Sequence, residues 1–215
     1  MKAPTKTLMR VLLRVDDFLT RCINRLALLY DDGVHVKHRL MRYHDFFVDR
    51  IRSGERVLDV GCGYGAVAYS VASRAGAVVT GIDLNAENIA KACALFRHPN
   101  LTFVTGDAFT DLPDGTFDVV LLSNILEHLE HRVEFLTAVQ SRVKPRSWLI
   151  RVPMINRDWR VPLRQELGLF PFSDRTHFTE YTQESFEKEL LEAGLTIVHA
   201  QYNWGEIWAE ARPHV

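Results

Sequence analysis

A strand-like run, Val57-Leu58-Asp59-Val60, passes directly into Gly61-Cys62-Gly63-Tyr64-Gly65-Ala66, with glycine at every second position of the turn. Alternating glycines let the backbone turn tightly and let a ligand approach the main chain with no Cβ in the way. A helix that opens after such a turn offers unpaired N–H groups and the positive end of its dipole. Gly61-x-Gly63-x-x-Ala66 fits a loose dinucleotide fingerprint, whose task is to seat a pyrophosphate. Asp59 speaks against that ligand, because its carboxylate would repel a phosphate and suits a cationic head group. A turn that only reverses the chain is the third reading. A second acid, Asp83, closes the strand-like Val78–Ile82 run, 18 residues after Gly65. One βα unit returns the chain to the same sheet edge over that distance. A carboxylate there can accept both hydroxyls of a ribose, or can simply cap the next helix.

Two further acid-bearing segments follow, Val104-Thr105-Gly106-Asp107-Ala108 and the longer run Phe117–Leu129, which ends in Ser123-Asn124-Ile125-Leu126-Glu127-His128-Leu129. Taken in order, the four motifs resemble those of the class I, Rossmann-like methyltransferases that use S-adenosylmethionine (SAM), in the type acting on small molecules and glycans. The resemblance covers roughly residues 50 to 200. It implies SAM, whose amino group and sulfonium tolerate Asp59, in a site built from Asp59, Gly61, Cys62 and Gly63. It further implies Asp83 and Leu84 at the ribose, Asp107 accepting from the adenine amine, and the Ala108 N–H facing a ring nitrogen, with Asn124 and Tyr43 completing the site. A plain turn is the competing role for Asp107. The Glu-His-Leu form of the fourth motif is not the Asn/Asp-Pro-Pro-aromatic segment used to grip an extruded base, which counts against base methylation.

Methyl transfer from a sulfonium is a direct displacement, so positioning and the readiness of the nucleophile dominate its rate. A hydroxyl acceptor stays protonated at neutral pH and needs a base, and histidine titrates in the right range. His128 is the first candidate, with Glu127 orienting it or binding on the cofactor side; packing or capping is its alternative role. His177 is the second candidate, in a segment that also holds Asn156, Arg157, Trp159, Arg160, Arg164, Glu166 and Asp174. Asn156, Trp159, Arg160 and His177 are expected at the substrate, where a polar, aromatic lid suits a hydroxylated or anionic molecule such as a sugar; a solvated loop is the plain reading. Glu127, His128, Asp174 and His177 are also candidates to surround a magnesium or manganese ion, which would lower the pKa of an acceptor hydroxyl.

These groups need elements to hold them. From residue 56 strands and helices alternate, the signature of a mainly parallel sheet covered on both faces. Strands are expected at 56–60, 77–82, 101–105, 117–122 and 146–152, and helices at 64–75, 86–97, 130–143 and 182–193. Asn85 and Thr182 serve as N-caps and Gly76 and Gly194 as stops. Leu195–Tyr202 and Glu206–Ala211 suggest a closing antiparallel pair, which makes seven strands. Residues 153–178 read as a long irregular lid. His35 to Ile51 reads as one helix, either packed through Leu40, Tyr43 and Phe47 or, as the resemblance implies, folded over the cofactor.

Residues 5 to 29 carry a strong helical period. Leu8, Leu12, Val15, Leu19, Ile23 and Leu26 share one face, and Lys6, Arg10, Arg14, Arg21 and Arg25 the opposite one; Asp31-Asp32-Gly33 ends the helix. The face is expected to pack on the domain or on a homodimer partner. Contact with an anionic membrane or a lipid-linked substrate is the sharper alternative, which Asp16 and Asp17 weaken.

The 215 residues suit one α/β domain, residues 51–215, behind a helical extension over 1–50. A net charge of −1 makes no case for a nucleic-acid partner. Cys22, Cys62 and Cys93 are widely spaced and form no CxxC pair, which favours a reducing compartment. With no apolar run long enough to span a bilayer and no signal-peptide core, a cytoplasmic location is expected. The expected function is O-methylation of a sugar or saccharide hydroxyl. The rivals are C- or N-methylation of a lipid-like or quinone acceptor, and a non-catalytic SAM-fold binding protein.

Overall fold

The computed structural model describes residues 2–31 and 35–214. Seven strands form one sheet: β1 Arg56–Val60, β2 Val78–Asp83, β3 Leu101–Thr105, β4 Val119–Ser123, β5 Ser147–Pro153, β6 Leu195–Asn203 and β7 Glu206–Pro213. Their order across the sheet is β3-β2-β1-β4-β5-β7-β6. The first five run parallel, whereas β7 pairs antiparallel with both β5 and β6. The chain reverses its direction of travel between β1 and β4. At such a switch point, outside the carboxyl ends of the strands, open α/β sheets hold their ligands.

Alternation along the strands divides the core in two. Leu58, Val60, Val120, Leu122, Trp148, Ile150 and Val152 face one way, with Phe135, Leu136 and Val139 of helix α6 (Arg132–Val143) and Phe186 and Leu190 of α8 (Gln183–Glu192). Val57, Val79, Val119, Leu121 and Leu149 face the other way, with Phe46 and Phe47 of α3 (Tyr43–Val48) and Val67 and Ala68 of α4 (Ala66–Ser70). The three-layer, Rossmann-like arrangement expected from the sequence is therefore present. Asn85 caps α5 (Ala86–Leu95) by accepting from the Glu87 N–H at 2.8 Å, and Thr182 forms a capping box with Ser185.

Three expectations need correction. The helix read over His35 to Ile51 is two, α2 (Lys37–Met41) and α3, because Arg42 between them is left-handed at φ 54°. The break folds His38 back onto its own chain, where its Nδ1 lies 2.6 Å from the Tyr43 hydroxyl and 2.8 Å from His44 Nε2. The irregular lid over 153–178 contains helix α7 (Arg160–Glu166). Pro162 falls in the first turn of α7, where its missing N–H costs no hydrogen bond.

The third correction concerns α1 (Lys2–Tyr30), which docks through its polar side. Arg10 donates to the Leu167 carbonyl at 2.8 Å, Arg164 reaches Asp17 at 2.7 Å, Arg160 reaches Asp16 at 3.1 Å, and Leu13 is buried between them. The six residues of the expected packing face, Leu8, Leu12, Val15, Leu19, Ile23 and Leu26, keep 46–64% of their surface exposed. Asp32 and Gly33 of the expected helix stop lie outside the described residues. No helix among the described residues is long and apolar enough to cross a membrane.

Candidate active site

The glycine turn follows β1 as the sequence suggests, and its three glycines all have positive φ: Gly61 65°, Gly63 55° and Gly65 81°. Two of them are required by their neighbours. A Cβ on Gly61 would lie 2.1 Å from Ile125 Cδ1, and one on Gly65 would lie 2.4 Å from Phe103. Gly63 differs, since a Cβ there would meet nothing within 4 Å and would point into open space. That space belongs to a cavity of about 350 Å³ lined by Asp59, Gly61, Cys62, Gly63, Tyr43 and Asn124, all expected at the cofactor, together with Lys37, His38, Ser123 and Arg151.

Two acceptors on the wall of this cavity have no donor. Asp59 is 1% exposed and its Oδ2 has no partner, and Asn124 Oδ1 is likewise buried and unpartnered. Asn124 also holds a left-handed φ of 60°, a strained conformation of the kind that collects at functional sites. Burial pushes the Asp59 pKa up to about 7; a backbone hydrogen bond at Ala68 opposes the shift and the nearby Asp83 charge adds to it. Two orphaned acceptors, one of them a carboxyl oxygen, at the mouth of β1 and β4 call for a ligand that brings donors and positive charge. The ammonium and sulfonium of SAM fit that demand; a pyrophosphate does not. Burial also pushes the Cys62 thiol up, as do Asp59 and Asp83, so it is no nucleophile.

Asp83, Leu84, Asp107 and Ala108 stand beyond the residues lining this cavity, along the same sheet edge at the ends of β2 and β3. Asp83 both caps and clamps. Its Oδ2 accepts the Gly63 N–H at 2.8 Å, and its Oδ1 accepts from Asn85 at 2.9 Å and Asn88 at 3.1 Å. Oδ1 already takes two donors, so Oδ2 keeps the lone-pair direction that is open to a ribose hydroxyl. Asp107 takes the Phe109 N–H at 2.8 Å, the turn role weighed for it, and Leu84 is 73% exposed.

Glu127 and His128 lie in a single 3₁₀ turn, Leu126–His128, three residues beyond β4. Glu127 is fully buried with both carboxyl oxygens unpartnered, and burial raises its pKa to about 7 against the pull of His177 and Arg151. The rings of His128 and His177 meet edge to face with centroids 4.6 Å apart. Asp174 reaches His128 through Thr176: the Thr176 hydroxyl lies 2.7 Å from Asp174 Oδ1 and 2.9 Å from His128 Nδ1. A carboxylate can only accept, so Thr176 donates to Asp174 and accepts from His128 Nδ1–H. This leaves His128 Nε2 with its lone pair free. Burial and His177 lower the His128 pKa, with Asp174 opposing, a shift that favours the neutral ring. His177 is fixed in the same manner, Nδ1 to Glu180 Oε1 at 3.0 Å.

One ligand atom each from Glu127, His128 and His177 falls within a 4.8 Å group. Asp174, expected in a metal set, is not in this group and serves Thr176. Two imidazoles and one carboxylate suit zinc or iron(II) better than magnesium, which prefers oxygen. The lid residues are otherwise engaged. Arg160 is held by Asp158 and Asp16, Arg157 by Glu180 and the Met154 and Pro171 carbonyls, while Asn156 and Trp159 are exposed.

Arg151, Thr176 and Glu180 were missed by sequence reasoning. Arg151 is 3% exposed and paired through two nitrogens with Glu206, both at 2.6 Å, and its guanidinium lies 3.8 Å from the Tyr43 ring centroid. Its signal was legible: it is the single charge in the strand Ser147–Pro153.

A family model described as a methyltransferase domain matches residues 33–200. Among curated proteins, the chain is 41% identical over 102 residues to the ubiquinone biosynthesis O-methyltransferase of Albidiferax ferrireducens, covering 45% of this chain and 40% of that one. Relatives of the same name match over 50% of their length in Shewanella pealeana and 48% in Schizosaccharomyces pombe, so the chain spans about half the length of the curated relatives it matches. Among solved structures, magnesium protoporphyrin IX methyltransferase from Synechocystis PCC 6803 with bound SAH superposes with a TM-score of 0.65 at 21% identity, over 84% of this chain and 85% of that one. The cyclase SpnF superposes with a TM-score of 0.64 at 20% identity, over 81% of each. These two likenesses concern the fold alone.

Proposed function

Because the chain belongs to the methyltransferase-domain family of class I, SAM-dependent enzymes, we propose that it methylates a hydroxyl of a phenolic, lipid-like acceptor of the quinone-precursor kind. The single observation that carries the O-methyl reading is the Asp174–Thr176–His128 chain, which leaves one imidazole nitrogen free to take a hydroxyl proton. The names of the relatives favour a quinone-type acceptor over the saccharide expected from the lid, and nothing in the comparisons supports a saccharide. Bound in the glycine-turn cavity, SAM supplies an electrophilic methyl on a sulfonium. Asp59 and Asn124 hold its ammonium, and Arg151, a buried cation on the same wall, meets the carboxylate of its amino-acid end. His128 Nε2 would take the proton that the acceptor hydroxyl loses as it is methylated. Glu127, near half-ionised at neutral pH, steadies the imidazolium that forms.

The test is transfer of labelled methyl to a panel of alkyl catechols, saccharides and simple amines. Catechols should be methylated on oxygen; labelling of saccharides alone would sink the acceptor assignment. With the accepted substrate, His128→Ala should lower kcat on the order of 10²-fold at unchanged SAM affinity. Thr176→Val should lower it about tenfold with an altered pH profile, and Thr176→Ser should restore it. Chelation that leaves the rate unchanged supports the base role. Loss on chelation and recovery with zinc or manganese would assign Glu127, His128 and His177 to a metal instead.

A further inference from the structure

Among the described residues nothing covers the apolar stripe of α1, although it is the most regular feature of residues 2–30. Leu8, Val11, Leu12, Val15, Phe18, Leu19, Ile23, Leu26 and Leu29 fall within one arc of the helix, and each exposes 46–72% of its surface. At 1.5 Å per residue the stripe from Leu8 to Leu29 runs about 32 Å, and its exposed apolar area exceeds the roughly 300–600 Å² of an ordinary monomer's largest patch. Asp16 and Asp17, the acids that weakened a membrane reading, are turned onto α7 and neutralised by Arg160 and Arg164. Arg14, Arg21 and Arg25, expected on the opposite face, lie within about 60° of the stripe's Phe18 edge at 3.6 residues per turn, are exposed, and make no ion pair among the described residues. What faces outward is therefore an apolar band with a border of one sign.

We infer that α1 lies in the headgroup region of an anionic bilayer, with its leucine stripe toward the acyl chains and Arg14, Arg21 and Arg25 at the lipid phosphates. An interfacial helix has these properties: an amphipathic face, basic rim residues and no capacity to span. Charge favours lipid over a second copy. Asp16 and Asp17, the acids of α1, are already engaged by Arg160 and Arg164, so a second stripe would bring more arginines and no unpaired acid to Arg14, Arg21 and Arg25. Leu28, in the last turn of α1, is part of the wall of the 350 Å³ cavity, so the bilayer plane lies beside the cofactor site. The inference goes beyond the acceptor assignment and stands whichever molecule is methylated.

Co-sedimentation of the full chain with vesicles tests it without any activity readout. The chain should sediment with phosphatidylcholine–phosphatidylglycerol vesicles at least about tenfold more strongly than with phosphatidylcholine alone. Leu12→Glu with Leu19→Glu should leave it in the supernatant, with the circular-dichroism melt of the remaining domain unchanged. Arg14→Gln, Arg21→Gln and Arg25→Gln together should remove the preference for the anionic lipid. Failure of the wild-type chain to sediment with either vesicle overturns the inference, as does equal sedimentation of the Leu12→Glu/Leu19→Glu protein. A concentration-dependent dimer abolished by those leucine substitutions would assign the stripe to a second copy and overturn it too.

Discussion

A carboxyl group buried with one oxygen unpartnered is a cost that the ligand-free protein carries, and Asp59 shows what that cost implies. Its pKa rises from an ordinary 3.8 to about 7 on folding, chiefly through burial. The folded state therefore holds the proton that the unfolded state has lost. Between about pH 4 and 7 this costs progressively more stability, and above pH 7 the cost is complete. A cationic ligand reverses the balance, because it favours the carboxylate. SAM affinity should therefore rise from pH 5.5 to 8 with release approaching one proton per molecule bound, read by calorimetry in buffers of different ionisation enthalpy. Asp59→Asn should weaken SAM by about 10²-fold or more and raise the melting temperature of the ligand-free protein at pH 8. Affinity indifferent to pH would remove Asp59 from the ammonium site.

At the scale of elements, the glycine turn separates structural need from ligand need. Gly65→Ala places a Cβ against Phe103 at a φ of 81° and should cost about 2–4 kcal/mol of stability. Gly63→Ala meets no neighbour, so the left-handed strain of about 1–2 kcal/mol is its whole structural cost, while SAM affinity should fall tenfold or more. Thermal melts with and without SAM distinguish the two, and equal loss of stability in both would refute the distinction. The turn was legible in the sequence because glycine spacing and strand periodicity are local signals. The same holds for the strands, whose limits fall within two residues of expectation. The break at Arg42 was not legible, since a non-glycine residue at positive φ leaves no mark in composition. Nor was the relay through Thr176, because the lid and the turn after β4 meet only in space; Phe178 N–H donating to the Glu127 carbonyl at 2.8 Å is the contact that joins them.

For the whole molecule, periodicity located the amphipathic helix and misassigned the side it packs with. Hydrophobic pattern alone says that a face will be covered, not by what. Here Arg160 and Arg164, expected at a substrate and on the lid, hold α1 to the domain by its acids. Arg164 is largely buried in that contact, and its removal takes the counter-charge from Asp17 and leaves Asp16 with Arg160 alone. Arg164→Ala should loosen α1, so that trypsin cleaves after Arg21 or Arg25 several-fold faster while the melt of the sheet domain moves by a few degrees at most. Unchanged proteolysis would show that Leu13 and Arg10 suffice.

The Arg151–Glu206 pair joins β5 to β7, the last of the seven strands in chain order, and Trp208 Nε1 donates to the same Glu206 carboxylate at 2.9 Å. The glycine turn, Asp59 and Asn124 are all synthesised well before these residues. A nascent chain can thus lay down five parallel strands and still lack the partner that keeps its buried guanidinium in place on the cofactor wall. Only when β7 slides in beside β5 is that charge compensated, so a chain ending before Glu206 lacks both the counter-charge of Arg151 and the strand through which β6 joins the sheet.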